Sequence, residues 1–413
     1  MPAGRETQAA RRPDFGRARP RGAPHSAGMK PLLLTLTLVA AASFAAAAES
    51  AKPDADGFVP MFNGRDLTGW TNVNCAPETW SVRDGVIYCT GNPIGGLRTV
   101  RQYENFVLEL EWRHLRRSGN SGFFVWGSPI NAPGVPFLRG IEVQMLDHGY
   151  AEDFERKSGK KSDWFTTHGD VFAIHGASMK YVGRTNGKRS FPTEDRSRPS
   201  PEWNHYRIVA NNGSLRLHVN GKEVSGGDEA NYRKGYLALE SEGSPVEFRN
   251  IRIKELPSSG AGPEVTAPVD PGWRALYNAV DLRGWKTSAA TESSWSVGGG
   301  RLTVKTASGE AGMLWTANEF TRAEFVIDYQ PAKSGPAAAT VVFRGTPVPL
   351  NGASPGKFSR FIVTADASRV RVARDEAAPY EVELRADAPA KGPLGLRPEA
   401  PGGAFMNLHA RDL

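Results

Sequence analysis

The stretch HYRIVANNGSLRLHVNGKEV (205–224) constrains the fold most. Asn212-Gly213 and Asn220-Gly221 interrupt an apolar/polar alternation, and both residues of a two-residue loop of this kind accept positive φ. The stretch predicts three consecutive antiparallel strands. NFVLELEWRHL (105–115) alternates in the same way: Phe106, Leu108, Leu110 and Trp112 share one face, and Val107, Glu109, Glu111 and Arg113 the other. No stretch of ten or more residues carries a clear helical period. Forty-five glycines and 30 prolines punctuate short apolar runs. The expectation is an all-β protein whose sheets, apolar on one face, pack as a sandwich or jelly roll.

With 413 residues, the chain exceeds what one hydrophobic core usually organises. It also repeats itself. MFNGRDLTGW (61–70) matches LYNAVDLRGW (276–285), and WSVRDGVIYC (80–89) matches WSVGGGRLTV (295–304). GYLALESEGSPVEFRNIRIKEL (235–256) matches GPLGLRPEAPGGAFMNLHARDL (392–413). Between the copies, residues 257–271 are small, polar and proline-rich, which reads as a linker. This order predicts a tandem duplication: one domain over 57–256 and a second, degenerate copy over 272–413.

The net charge of +7 is concentrated at the N-terminus. Residues 1–48 hold Arg5, Arg11, Arg12, Arg17, Arg19, Arg21 and Lys30 against Glu6 and Asp14, so the remainder is close to neutral. That gives no electrostatic case for a nucleic-acid partner. Met29-Lys30, the apolar run PLLLTLTLVAAASF and the small residues before Glu49 read as a signal peptide over 29–48, cleaved near Ala48. Residues 1–28 then read as a misassigned start or a disordered extension. No later stretch is long and apolar enough to span a membrane. The expectation is an exported bacterial protein, periplasmic or extracellular. In an oxidising compartment Cys75 and Cys89, which flank a strand–turn–strand, are candidates for a disulfide; two separate thiols are the alternative.

FNGRDLTGW, WSVRDGVI, EWR followed by GNSG, GIEVQMLD, EWN, NG and VEFRNI occur in that order. Together they resemble the 3-keto-disaccharide hydrolase domain family, over residues 57–256 in full and over 270–413 only at the two ends. The resemblance implies a concanavalin A-like jelly roll in each copy, bacterial export, and cleavage of glycosides whose sugar was first oxidised at C3.

GIEVQMLD then holds candidate chemistry. Glu142 and Gln144 are two residues apart and project from one face, about 7 Å apart. Asp147 joins them only if the strand ends or bulges before it. The bland reading is a solvated sheet face. Arg113 is a candidate donor for a ketone or hydroxyl oxygen, or one half of a surface ion pair. Asn120 is a ligand or a turn residue, and Trp126 a sugar platform or core. His168 is a candidate acid or base; His168, Asp170 and His175 lack the setting of a metal site, and no metal or cofactor is expected. Glu240 reaches the cleft or stays on the surface.

Ordinary glycosidases need two carboxylates flanking the bond, and the alternate partner of Glu142 is the amide Gln144. A 3-keto sugar lowers that requirement. The ketone acidifies the C2 proton, so one base can remove it, the C1 substituent leaves, and water adds to the enone. Glu142 or Asp147 is the candidate base. Arg113, Asn120 or Gln144 would hold the enolate, and the other carboxylate or His168 would be the acid. A non-catalytic lectin-like carbohydrate-binding module and an ordinary glycoside hydrolase are the alternatives. The second copy is expected to lack the site: KSGPAAATVVFRG (333–345) puts Pro336 and Ala337 at Asn120. SRFIVTAD (359–366) puts Phe361 and Val363 at Glu142 and Gln144.

Overall fold

The computed structural model describes residues 52–334, 339–375 and 377–413. The expected leader, its cleavage point, Pro336 and Ala337 lie outside the described residues. What is described is nearly all β, in four antiparallel sheets. None of its helices is long and apolar enough to cross a membrane.

The first pair of sheets has nine and eight strands. Phe106, Leu108, Leu110 and Trp112 from strand Phe106–His114 meet Phe123, Val125, Ile141, Val143 and Met145 of the facing sheet in one apolar cluster. The alternation in the sequence therefore fixes which face is core. Asn212-Gly213 and Asn220-Gly221 close the expected hairpins with positive φ at all four residues. Fully burying each large apolar side chain contributes about 1.5–3 kcal/mol. The second pair, of eight and five strands, encloses its own cluster, including Phe325, Ile327, Val341, Phe361, Leu394 and Phe405.

Three features depart from the sequence reading. Gly149–Ser158 is a ten-residue α-helix, closed by Gly159 in the left-handed region. Its apolar signal is only Tyr150 and Phe154, which pack on Phe165. Segment 257–271 is pinned rather than free. Val265 accepts from the Arg233 amide at 2.7 Å, the Ala267 amide donates to Lys234 at 2.8 Å, and Asp270 pairs with Arg98. The expected Cys75–Cys89 bridge is not formed. Each buried thiol instead meets the backbone of the 91–93 turn: Cys75 Sγ lies 3.9 Å from the Pro93 carbonyl, and Cys89 Sγ accepts the Gly91 amide at 3.3 Å. Burial raises both thiols, Cys89 to about 11.

A buried carboxylate pair as candidate active site

Three neighbouring strands of the eight-stranded sheet in the first pair build the site: Asn120–Gly127, Gly140–Leu146 and Tyr236–Ser241. Their inward residues are core. Their outward residues Asn120, Glu142, Gln144 and Glu240 line a cavity of about 170 Å³, joined by Glu242 just past the third strand. The register sets Gly122 beside Gln144 and Phe124 beside Glu142 on one side. On the other side Ala238 pairs with Phe124, which places Glu240 level with Gly122.

Gly122 makes the arrangement possible. A Cβ there would lie 2.8 Å from Glu240 Oε2 and 2.9 Å from Glu142 Oε1. Both distances are shorter than real Cβ contacts allow, and the two carboxylates reach into the space a side chain would fill. Glu142 is 6% exposed and Glu240 1%. Among the described residues no amide, hydroxyl or cationic donor reaches either oxygen of Glu240.

Such a pair cannot hold two charges cheaply. Burial, then the like charge of Glu242, raises Glu142 well above the carboxylate range, against the opposing pull of Arg189. Burial, then Glu142 and Glu242, raises Glu240 well above it too. Glu242 itself is raised to about 7, chiefly by burial. Arg189 draws Glu142 towards ionisation, whereas burial, the charges of Glu142 and Glu242 and the hydrogen bond with Glu242 all raise Glu240. Of the two, Glu142 is the one drawn towards the charged form.

The polar wall beside the pair is continuous. Arg189 donates to Gln144 Oε1 at 2.9 Å and pairs with Asp170 at 3.4 Å. Gln144 Nε2 donates to Asn120 Oδ1 at 3.1 Å. The Arg189 guanidinium lies over Phe172 at 3.6 Å and faces Trp164 at 4.9 Å. Trp164, 47% exposed, stands at the cavity edge. Phe137 and His175 form the opposite rim, stacked at 5.6 Å and 5°.

Of the residues singled out in the sequence, Glu142, Gln144, Asn120 and Glu240 meet here. Four others do not. Asp147 ends the strand facing away, as its odd spacing from Glu142 foreshadowed. Its carboxylate accepts the amides of Ser118 (2.7 Å), Gly149 (3.0 Å) and Ser200 (2.7 Å). Those bonds outweigh burial and hold it below its ordinary range, so it is a clasp for three turns. Arg113 lies on the outer face of the other sheet, paired with Glu247 at 2.7 Å. Trp126 is wholly buried; a left-handed φ of 55° at an irregular register turns it into the core, and Nε1 donates to Glu104. His168 lies outside the cavity, 3.0 Å from Asp195. With His148 it places three ligand-type atoms within 4.8 Å, but Ser197 already bonds to His148 and Asp195. His175 lines the cavity instead, and Asp170 is the buried partner of Arg189.

Glu242, Arg189 and Trp164 were missed. Glu242 had a signal, standing two residues after Glu240 on the same face in LALESEG. Arg189 and Trp164 sit in polar loops, where sequence gives no direction.

The arrangement is a buried carboxylate pair with a polar wall on the outer face of one sheet. Residues 57–254 match the 3-keto-alpha-glucoside-1,2-lyase-like domain family. The chain is 22% identical over 256 residues to the 3-keto-disaccharide hydrolase of Bacteroides thetaiotaomicron, covering 49% of this chain and 80% of that protein. A solved protein of Parabacteroides distasonis, provisionally described as a glycosyl hydrolase, is 26% identical. That match covers 49% of this chain and 95% of that one, with a TM-score of 0.39. A Bacillus subtilis carbohydrate binding module is 13% identical, covering 46% and 96%, with a TM-score of 0.31.

Proposed function

We propose that residues 57–254 cleave 3-keto glycosides by elimination and hydration, with Glu142 as base and Glu240 as acid. The observation that carries this is the buried carboxylate pair across Gly122, with Arg189 drawing Glu142 towards the charged form. The family match over these residues supports the 3-keto substrate class.

Glu142 takes the C2 proton made acidic by the ketone. The electron pair moves to the C3 oxygen as an enolate, held by the amides of Gln144 and Asn120 and by Arg189. It then forms the C1=C2 bond as the C1–O bond breaks, and Glu240 gives its proton to the leaving oxygen. In the return half, Glu240 removes a proton from water, hydroxide bonds to C1, and Glu142 returns its proton to C2. Both carboxylates end as they began. We also propose that the chain is exported and that its second sheet pair is a degenerate copy of the same jelly roll.

One observation favours a second reading. The two facing oxygens are separated by at most the sum of their distances to the Gly122 Cβ position, and retaining glycosidases hold their carboxyls about 5–5.5 Å apart. The sequence argument against an ordinary glycosidase rested on Gln144, and Glu240 supplies the missing carboxylate from the neighbouring strand. Incubating the purified chain with a glucoside and with its 3-keto form, and following product by mass, separates the readings. Release from the 3-keto form alone supports elimination. Release from the unoxidised glucoside overturns it, and binding of either without release identifies a lectin-like module.

A further inference from the structure

We infer that the second sheet pair serves as an internal clamp for the 128–138 loop and so sets the rim of the acidic cavity, with Asp328, Arg360 and Asn407 as positioning residues. The inference rests on the site proposed above but not on which sugar it cleaves.

The loop joins strand Asn120–Gly127 to strand Gly140–Leu146, the two strands that carry Asn120, Glu142 and Gln144. It closes on itself at its base, where the Ala132 amide donates to the Phe137 carbonyl at 2.8 Å and the Ser128 amide to Arg139 at 2.9 Å. Its tip is held from outside. Asp328 Oδ2 accepts the Gly134 amide at 2.8 Å, Arg360 donates to the Asn131 carbonyl at 2.7 Å, and Asn407 Nδ2 donates to Val135 at 2.9 Å and Ala132 at 3.2 Å. Asp328 and Asn407 are wholly buried, and Asp328 is bound in turn by Arg360 and by Asn407 at 2.7 Å. The carboxylate thus satisfies two side chains of its own sheet and one amide of the loop.

All three residues point away from the apolar cluster of the second pair. They spend buried polar groups on a loop that is not theirs, which a surface left to solvent would not require. Phe358 closes the contact. Gly134 has φ +72°, and a Cβ there would lie 2.5 Å from Phe358 Cβ. Two residues past Val135 the chain reaches Phe137, whose ring stacks on His175 at the rim. Freeing the tip removes the outside restraint on the hairpin that carries this ring, and a rim that is no longer pre-organised weakens binding of whatever it faces.

The test is a double-mutant cycle in the full chain, Asn407→Ala against Phe137→Ala, with two readouts. The first needs no substrate: the His175 ring signals in NMR, shifted by the stacked Phe137. Asn407→Ala should move them most of the way to their Phe137→Ala positions. The second is turnover of a 3-keto glycoside. Asn407→Ala should raise KM about tenfold with kcat nearly unchanged, and should add nothing once Phe137 is Ala. Gly134→Ala, which pushes the tip off Phe358 and leaves the second pair intact, should reproduce both effects. Unchanged His175 signals in a folded Asn407→Ala chain, or effects that multiply independently in the cycle, overturn the clamp. If the wild type turns over no 3-keto glycoside, the reaction assignment fails while the His175 readout still decides the clamp.

Discussion

The two sheet pairs share a strand order and differ where the chemistry sits. Strand Ala323–Gln330 lies between Ala404–Asp412 and Ser359–Ala365, just as Phe106–His114 lies between Val246–Glu255 and Asn204–Asn211. Even the irregularity in the last strand recurs, with Asn250 (φ 52°) in FRNI and Asn407 (φ 47°) in FMNL. In the facing sheets the row Glu142, Phe124, Ala238 becomes Pro347, Val342, Gly395. By the same register Gln144, Gly122 and Glu240 become Pro349, Thr340 and Arg397. Proline cannot donate to a further strand, so that sheet ends at Thr346–Leu350, whereas the first continues to Val171–Ile174. The framework recurs in the second pair, and the carboxylates and amide of these rows do not. Outward side chains carry the chemistry, and inward ones carry the fold.

The largest expected effect is at Glu142. Glu142→Gln keeps the shape and removes the base, so turnover of a 3-keto glycoside should fall by about a thousandfold or more. Steady-state kinetics check this. Residual activity near wild type would place a second centre elsewhere in the chain and break the contrast between the pairs.

Gly122→Ala comes next. Its methyl group must displace Glu240 or Glu142, while the second pair carries Thr340 at that position without difficulty. Activity should drop about ten- to a hundredfold, with the melting transition still cooperative. Full activity would mean that the two carboxylates need not meet.

This contrast also explains what the sequence revealed. Hairpin turns and alternation are local, so the strands, the core faces and the matched ends of the two halves were legible. Register across a gap is not local. SRFIVTAD ends in an aspartate as GIEVQMLD does, which invites the alignment, yet it pairs with Ala323–Gln330 and is the counterpart of HYRIVANN in the other sheet. The true counterpart, TPVPL, is short and proline-rich and gave no strand signal. The residues standing opposite Glu142 and Gln144 are Pro347 and Pro349, not the expected Phe361 and Val363. Within the first pair, alternation put Glu142 and Gln144 on one face. It could not show that Glu240 lies one strand away or that Arg113 belongs to the opposite sheet.

Glu242→Gln should move the pH profile rather than the maximum rate. The like charge of Glu242 raises both Glu142 and Glu240, so its removal lowers both. In the wild type, kcat/KM should rise with pH as Glu142 ionises, above the ordinary carboxylate range, and fall again as Glu240 loses its proton. In the variant both limbs should shift towards acid, read from kcat/KM between pH 4 and about 9. Unmoved limbs would detach Glu242 from the pair.

Glu240→Gln separates stability from activity. A carboxyl raised in the folded state binds more protons there than when unfolded, so stability is full below the unfolded pKa and declines as pH rises through the folded one. The variant should therefore melt a few degrees above wild type near pH 8, a gain that vanishes towards pH 4. It should cleave substrates with poor leaving groups far more slowly than those with good ones.

The smallest effect is expected at the matching position of the second pair. Arg397 stands in the row where Glu240 stands in the first, 3.3 Å from Glu310 and 3.8 Å from Glu399. Glu310 is 87% exposed, so the pair contributes little. Arg397 also lies in the sheet remote from Asp328, Arg360 and Asn407, which belong to the other sheet of the pair. Arg397→Gln should leave kcat and KM within about twofold of wild type and shift stability by no more than about 0.5 kcal/mol. Equivalent rows would then differ in their effect on turnover by orders of magnitude under the same substitution. A larger loss of turnover at Arg397 would show that the second pair reaches the chemistry through this sheet as well as through the 128–138 loop.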